Sequence, residues 1–434
     1  MYPLAGVLFL TFAAYAQPIQ PTVLFSFPSK SVIATGNLIQ GSDGNFYGTT
    51  PNSGISNSGT VFMLDSNGNI ATLVSFANTN GETPNGLTDG GDGNFYGTTE
   101  HGGFGFISEA SGKGTVFKVN TNGTLTYHVF FGGNYGQNPF GVPALGNDGN
   151  FYGTTYFGGS NDAGIVYKMT TNLSLTTLVS FASTNGAYPD AGLTLGNDGN
   201  LYGTTYYGGI SNAGTVFKVT TNGALTTLVS FFNTNGANPA TGLTLGSDGK
   251  FYGTTRNGGS NDYGTVFEIT TNGTLTTLAW FDNTNGAHPT RDLTLGSDGN
   301  CYGATLVGGM SNYGTLFQIS TNGTLTTLVS FTGTNGEYPS TSLTLGSDGN
   351  FYGAASSVIY CLKRGSYIQN SEMMTNGFHL NVLNVGGSGW VVLQSSTDLI
   401  TWTPILTNWE AEAQQFIDTS APTQPKQFYR ALQQ

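Results

Sequence analysis

The chain has 434 residues, 24 acidic against 12 basic, for a formal net charge of −12, and only 8% of its residues are charged. Hydrophobic residues make up 38% and aromatic residues 13%, more core material than a disordered chain carries, so the 66 glycines read as turn chemistry and not as low complexity. The acidic balance and the lack of a basic patch exclude nucleic acid and anionic membrane surfaces as expected partners.

The opening MYPLAGVLFLTFAAYAQPIQ holds an apolar run from Leu4 to Ala14, then Ala14-Tyr15-Ala16 before Gln17. That spacing fits a secretory signal with a small-x-small cleavage site, so residues 1–16 are expected to be a signal peptide, although no Lys or Arg precedes the run. The run is too short to span a bilayer, which takes ~20 apolar residues. No later segment qualifies, and no membrane insertion is expected. Two cysteines make no disulfide framework, so stability must come from packing.

Next comes TVLFSF (Thr22–Phe27), an isolated strand, and then a repeat. Its tyrosines stand at Tyr47, Tyr96, Tyr152, Tyr202, Tyr252, Tyr302 and Tyr352, with spacings of 49, 56, 50, 50, 50 and 50. A period of ~40–50 residues rich in β-formers suits a four-stranded propeller blade. The unit Thr241–Phe281 parses strand by strand. TGLTLG is the first strand, Asp248-Gly249 a tight hairpin turn, FYGTT the second strand and RNGGSNDYG a longer polar loop. TVFEIT is the third strand, Thr271–Gly273 the next turn and TLTTLAWF the fourth, before DNTNGAHP crosses to the next unit.

The first-strand and DGNxYG elements occur seven times. The third strand occurs six times in full (GTVF, GIVY or GTLF) and once degraded, as VIYCL at Val358–Leu362. No fourth strand follows Leu362, whereas Thr22–Phe27 resembles the orphaned LTTLVSF. The N-terminal strand can complete the last blade and leave no exposed sheet edge. An open solenoid would not match a missing strand at one end with a spare one at the other. The expected fold is all-β, a seven-bladed β-propeller (residues 17–364) closed by an N-terminal strand and followed by a small β-sandwich at 366–434.

The units DGNFYGTTYYGGxSNxGTVFKxTTNGTLTTLVSF resemble the Gloeobacter/Verrucomicrobia repeat family of bacteria over residues 22–363. The resemblance implies a secreted or cell-surface protein and carries no defined activity. Some members end in a sorting signal with an apolar helix; the ending FYRALQQ has none, so anchoring by that route is not expected. After Gly365, the segments GFHLNVLN, GWVVLQSS, WTPILTNW, AQQFIDTS and KQFYRALQ read as five short strands. VVLQSSTDLITWTPI followed by QFYRA resembles the fibronectin-III-like modules that recur at the C-termini of secreted proteins in such bacteria. Trp390 and Trp402 there suit a sandwich core better than a carbohydrate platform.

Strand order puts the tight turns on one face of the ring, and the second-to-third loops and inter-blade crossings on the other. Sequence varies on that second face: His101, Phe104, Phe106 and Glu109 in an expanded loop, then Tyr156, Phe157, Tyr206, Tyr207, Arg256 and Leu306. Variable loops on a rigid scaffold are where binding lives. The candidate ligand-binding set is Phe104, Phe106, Tyr156, Phe157, Tyr206, Tyr207 and Arg256, for stacking on sugar rings or gripping a peptide; covering the blade tops is the rival role. A polysaccharide or a surface protein is the expected partner, and the chain is expected to be monomeric.

Chemistry finds little support. The DGN turn offers one Asp per copy, whereas a calcium loop places several oxygen ligands at alternating positions, so no metal and no cofactor are expected. His101, His128, His288 and His379 lack metal-ligand spacing; His101 and His288 fall on the variable face. No G-x-S-x-G, P-loop or Cys/His cluster appears. The chain is therefore read as non-enzymatic. The rivals are a structural adhesion component and an enzyme: either a lyase, because streptogramin-lyase-type propellers share a DGN-aromatic turn and use a face histidine, or a glycosidase using Glu100 and Glu109. His101, His288 and acids around one pocket would favour the enzyme, and aromatics without titratable groups would favour binding. Cys301 replaces the usual Phe beside Tyr302 and reads as a buried apolar residue, with a disulfide to Cys361 as the alternative. The repeated NGT triplets fit glycosylation but fall where hairpin turns want Asn-Gly.

Overall fold

Each repeat folds into four antiparallel strands. The unit Thr194–Leu195, Leu201–Thr205, Thr215–Val219 and Leu225–Ser230 pairs in that order. Its second strand, LYGTT, is buried at all five positions, because a neighbouring blade covers each face. The computed structural model describes residues 20–29, 32–103, 112–172 and 174–363, and six strands of the C-terminal segment. Seven such four-stranded arrangements follow one another, which makes a seven-bladed β-propeller.

The repeated Asp-Gly-Asn-x-Tyr motif has a structural explanation in every blade. Gly199 takes φ 74°, the left-handed geometry that this hairpin turn requires. Asp198 Oδ1 accepts the Asn200 N–H at 3.1 Å, and its Oδ2 accepts the Tyr202 hydroxyl at 2.7 Å. The same tyrosine-to-aspartate bond, at 2.7–3.0 Å, recurs at Asp43, Asp92, Asp148, Asp248, Asp298 and Asp348. A buried phenol needs such a partner. These carboxylates are committed to their own turns, and no group of three metal-ligating side chains occurs among the described residues.

The tyrosine ring also bridges to the next blade. Tyr47 packs on Phe95, Tyr96 on Phe151, Tyr202 on Phe251 and Tyr302 on Phe351, with centroids 4.1–4.6 Å apart. The series closes on itself, since Tyr352 of the last blade meets Phe46 of the first at 4.2 Å. A parallel series of threonine hydroxyls donates to the next blade's Leu carbonyl: Thr244 to Leu293 at 2.6 Å, and at the seam Thr344 to Leu38 at 2.6 Å. The fourth strand of the last blade is N-terminal. Thr22–Ser26 pairs antiparallel with Val358–Leu362, Thr22 opposite Cys361 and Ser26 opposite Val358.

Three sequence expectations need correction. The first strand does not run through TGLTLG: only Thr244–Leu245 pairs, and the same two-residue strand recurs in four other blades. The residues before it bulge inward, as described below. Cys301 and Cys361 are both buried and form no disulfide, so Cys301 is the buried residue expected and the disulfide alternative is not realised. Burial pushes the Cys301 thiol up to about 12, which leaves it inert. Among the described residues the C-terminal segment has six strands, where five were expected.

The propeller, Pro21–Leu362, is one compact unit; a second contains Lys363–Gln434. There Gly365–Met374, Gly377–Val385 and Gln414–Asp418 form one antiparallel sheet, and Thr403–Trp409, Trp390–Ser396 and Phe428–Gln433 another. The unexpected strand, GSYIQNSEMM, lacks clean alternation and is held by backbone pairing to Gly377–Val385. The expected signal peptide, Phe104, Phe106, Glu109 and Trp402 lie outside the described residues.

Candidate functional site

The site is built by a break in the innermost strand. In the sixth blade, Pro289 pairs with Thr305 and Thr294 with Tyr302, so four residues, 290–293, oppose only two. Such a bulge bends the strand and re-aims its side chains. Single bridges at Gln137–Phe157, Ala187–Tyr207 and Ala237–Asn257 mark the same entry in neighbouring blades. The bend starts at a left-handed residue: Asn138, Tyr188, Asn238, His288 and Tyr338 have φ of 51–57°. Asn and His are enriched in this conformation, whereas Tyr rarely adopts it.

The bulged residues line the central channel. Phe140–Val142, Asp190–Gly192 and Thr290–Asp292 bound a cavity of about 410 Å³. A second, of about 470 Å³, opens at the mouth on the loop face, where Glu100, Arg256 and Leu306 join Phe140, Asp190 and Arg291. Both fall in the ~300–1,000 Å³ range of small-molecule sites.

Charge gathers here in a chain that has little of it. Burial pushes the Asp190 carboxyl up to about 7; Arg291 and Arg256 pull it down and Glu100 pushes it further up. Burial also raises Glu100, against the pull of His101, whose Nδ1 lies 3.5 Å from its Oε1. Asp292, raised by burial, accepts the Gly242 N–H at 2.6 Å. Arg291 is held below its ordinary value by burial, opposed by Asp292 and Asp190, and its buried Nε has no acceptor. Among the described residues, the side chains of Asp190, Arg256 and Arg291 form no hydrogen bond or ion pair.

An aromatic strip leads outward from the mouth. Phe140, in the channel wall, meets Tyr156 edge-on at 5.1 Å, and Tyr156 stacks on Tyr188 at 5.1 Å. Phe157 lies 5.6 Å and Tyr207 6.1 Å from the Tyr188 ring, and Tyr206 packs on Tyr207 at 4.7 Å. Burial, then the Asp190 charge, pushes the Tyr156 hydroxyl up to about 12. Phe157 and Tyr207 remain 37% and 38% exposed, open enough to accept a partner.

Of the sequence candidates, Arg256 stands in the cavity wall, and Tyr156, Phe157, Tyr206 and Tyr207 share the strip beside it. His101 and His288 are not in the wall; His288 Nδ1 is tied to the Arg256 carbonyl at 3.0 Å and its ring packs edge-on to Tyr263. Sequence reasoning missed Phe140, Tyr188, Asp190, Arg291 and Asp292. A signal existed. Asp190, Arg291 and Asp292 interrupt a crossing that reads Ala240-Thr241-Gly242 and Ser340-Thr341-Ser342 one repeat away.

The model of the Gloeobacter/Verrucomicrobia repeat matches residues 11–197 and 145–360. The chain belongs to this repeat family. No curated protein matches it. Among solved structures, the family member is similar to the extracellular domain of a candidate hybrid two component system from B. thetaiotaomicron. The TM-score is 0.57 at 10% identity, covering 86% of this chain and 45% of that one, so the family member spans under half its length. A candidate 6-phosphogluconolactonase from Bacteroides uniformis gives a TM-score of 0.46 at 18% identity, covering 67% of this chain and 83% of that one. At such identities these likenesses concern the fold alone. No helix among the described residues is long and apolar enough to cross a membrane.

Proposed function

We propose that the protein is a secreted, non-enzymatic binding protein that holds a polysaccharide or a surface protein on the loop face of its propeller. The observation that carries this reading is the junction of an exposed aromatic strip with a cavity at the channel mouth that holds Asp190, Arg256 and Arg291, whose side chains have no hydrogen bond or ion pair among the described residues. Exposed tyrosine and phenylalanine rings supply contact area at small rotamer cost. The opening segment, read as a signal peptide, supports the extracellular setting. The two three-stranded C-terminal sheets suit a fibronectin-III-like module, a frequent companion of extracellular binding domains.

A glycan array probed with the full chain tests the reading. Phe157→Ala and Tyr207→Ala are expected to weaken binding of an array hit without lowering the melting temperature. Variants that lose stability and keep affinity would assign the aromatics to packing.

One observation favours an enzyme as the second reading. Glu100 and Asp190 line the same cavity, and Asp190 retains a proton near neutral pH, as a general acid must. Release of new reducing ends from an array hit, abolished by Asp190→Asn, would replace the binding reading with a hydrolytic one.

A further inference from the structure

We propose that the channel mouth binds the carboxylate of an acidic sugar, with Arg291 and Arg256 as its receptors and the aromatic strip carrying the adjoining rings of a uronic-acid oligosaccharide. The inference rests on the reading of the mouth as a binding site and names the ligand class. Three facts converge. Arg291 lines both channel cavities, its buried Nε has no acceptor, and it forms no ion pair among the described residues. A buried N–H left unsatisfied is costly, and a planar carboxylate matches the guanidinium fork. Arg256 lines the mouth cavity with it, also without a side-chain hydrogen bond or ion pair among the described residues. The remaining wall includes Thr83 and Thr290, whose hydroxyls suit those of a sugar, and Thr35 and Asn85, which donate to the Pro84 and Pro139 carbonyls and keep oxygens that can accept. Phe140 connects this wall to Tyr156, Tyr188 and Phe157, so a chain whose acidic ring enters the mouth can lay its next rings on aromatic faces.

The acids nearby set the pH at which an anion is accepted. Asp190 interacts with the charges of Arg291, Arg256 and Glu100 and with Tyr156, and Asp292 interacts with Arg291. Below about pH 7 Asp190 is neutral, so its hydroxyl can donate to the ligand. Above that pH its charge repels the ligand and competes for both arginines. A sugar carboxyl, with an ordinary value near ~3.5, stays ionised throughout.

The test is calorimetric titration of the full chain with trigalacturonate, with neutral galactose and cellulose oligosaccharides of equal length and with a short poly-glutamate peptide. Trigalacturonate is expected to bind about tenfold or more tighter than either neutral sugar, with binding about tenfold stronger at pH 5.5 than at pH 8. Arg256→Gln and Arg291→Gln are each expected to cost about tenfold or more, and Arg291→Lys less than Arg291→Gln. Asp190→Asn is expected to abolish the pH dependence. If Arg291→Gln lowers the melting temperature, Arg256→Gln and Asp190→Asn carry the decision. Equal affinity for acidic and neutral sugars, or unchanged affinity in the arginine variants, overturns the acidic-sugar assignment. If Tyr207→Ala still weakens those sugars, the binding site itself stands. Binding of poly-glutamate in place of trigalacturonate overturns it in favour of a peptide. No binding of any of these probes overturns it as well.

Discussion

A single tyrosine hydroxyl shows how the repeat holds together. Tyr202 donates to Asp198 from a ring that is otherwise fully buried, and removal of that hydroxyl takes away one of the two hydrogen bonds to Asp198 Oδ2, the other coming from Asn200 Nδ2. Tyr202→Phe is expected to destabilise the propeller by about 1–2 kcal/mol, measured by urea denaturation. Five of the turn aspartates titrate low. Burial pushes Asp43, Asp92, Asp148, Asp198 and Asp348 up, but hydrogen bonds from tyrosine, asparagine and lysine outweigh it and hold each below the usual carboxylate value. A depressed carboxylate stabilises the fold above its unfolded value of ~3.9 and loses that contribution as pH falls, so acid unfolding below about pH 4 is expected. Asp190 has the opposite sign. Between about pH 4 and 7 the folded state keeps a proton on Asp190 that the unfolded state has lost, so stability falls as pH rises across that window and levels off above it. The loss is on the order of 4 kcal/mol. Asp190→Asn is expected to melt higher than the wild type at pH 8 and no higher at pH 4; equal melting temperatures at pH 8 would contradict the buried setting.

Strands are the scale at which the sequence was most legible, because period-2 apolar runs and Asp-Gly turns are local signals. The clasp was legible too: the strand missing after Leu362 and the spare one at Thr22–Ser26 are the same strand. Phe27 locks it by packing edge-on against Phe62 of the first blade at 6.0 Å. Deletion of residues 17–28 is expected to lower the melting temperature of the whole ring, since it exposes the edge at Val358–Leu362. A truncated chain that melts like the full one would sink the clasp. Calcium tests the turns separately. Each carboxylate is already occupied by its tyrosine, so EDTA is expected to leave the melting temperature unchanged. The bulge at 290–293 was not legible. A continuous TGLTLG-type run gives no local sign that pairing lapses after Pro289 and resumes at Thr294, because the lapse arises from fitting seven inner strands around one axis.

At the scale of the whole molecule, this is why Tyr156, Phe157, Tyr206, Tyr207 and Arg256 could be named as candidates and Asp190, Arg291 and Asp292 could not. Tyr156, Phe157, Tyr206 and Tyr207 sit at strand exits that strand counting assigns to one face. Asp190 and Arg291 come from crossings two repeats apart, and they meet only because the ring closes around a channel. The account's central claim is that this channel mouth and its aromatic strip are the binding site. Hydrogen–deuterium exchange of the full chain, with and without trigalacturonate at pH 5.5, tests it most directly. The account predicts slowed exchange in peptides covering 137–143, 186–192 and 254–258, with the hairpin turns at Asp198–Asn200 and Asp248–Lys250 unchanged. Slowing confined to the hairpin-turn face, or no slowing anywhere, would contradict it.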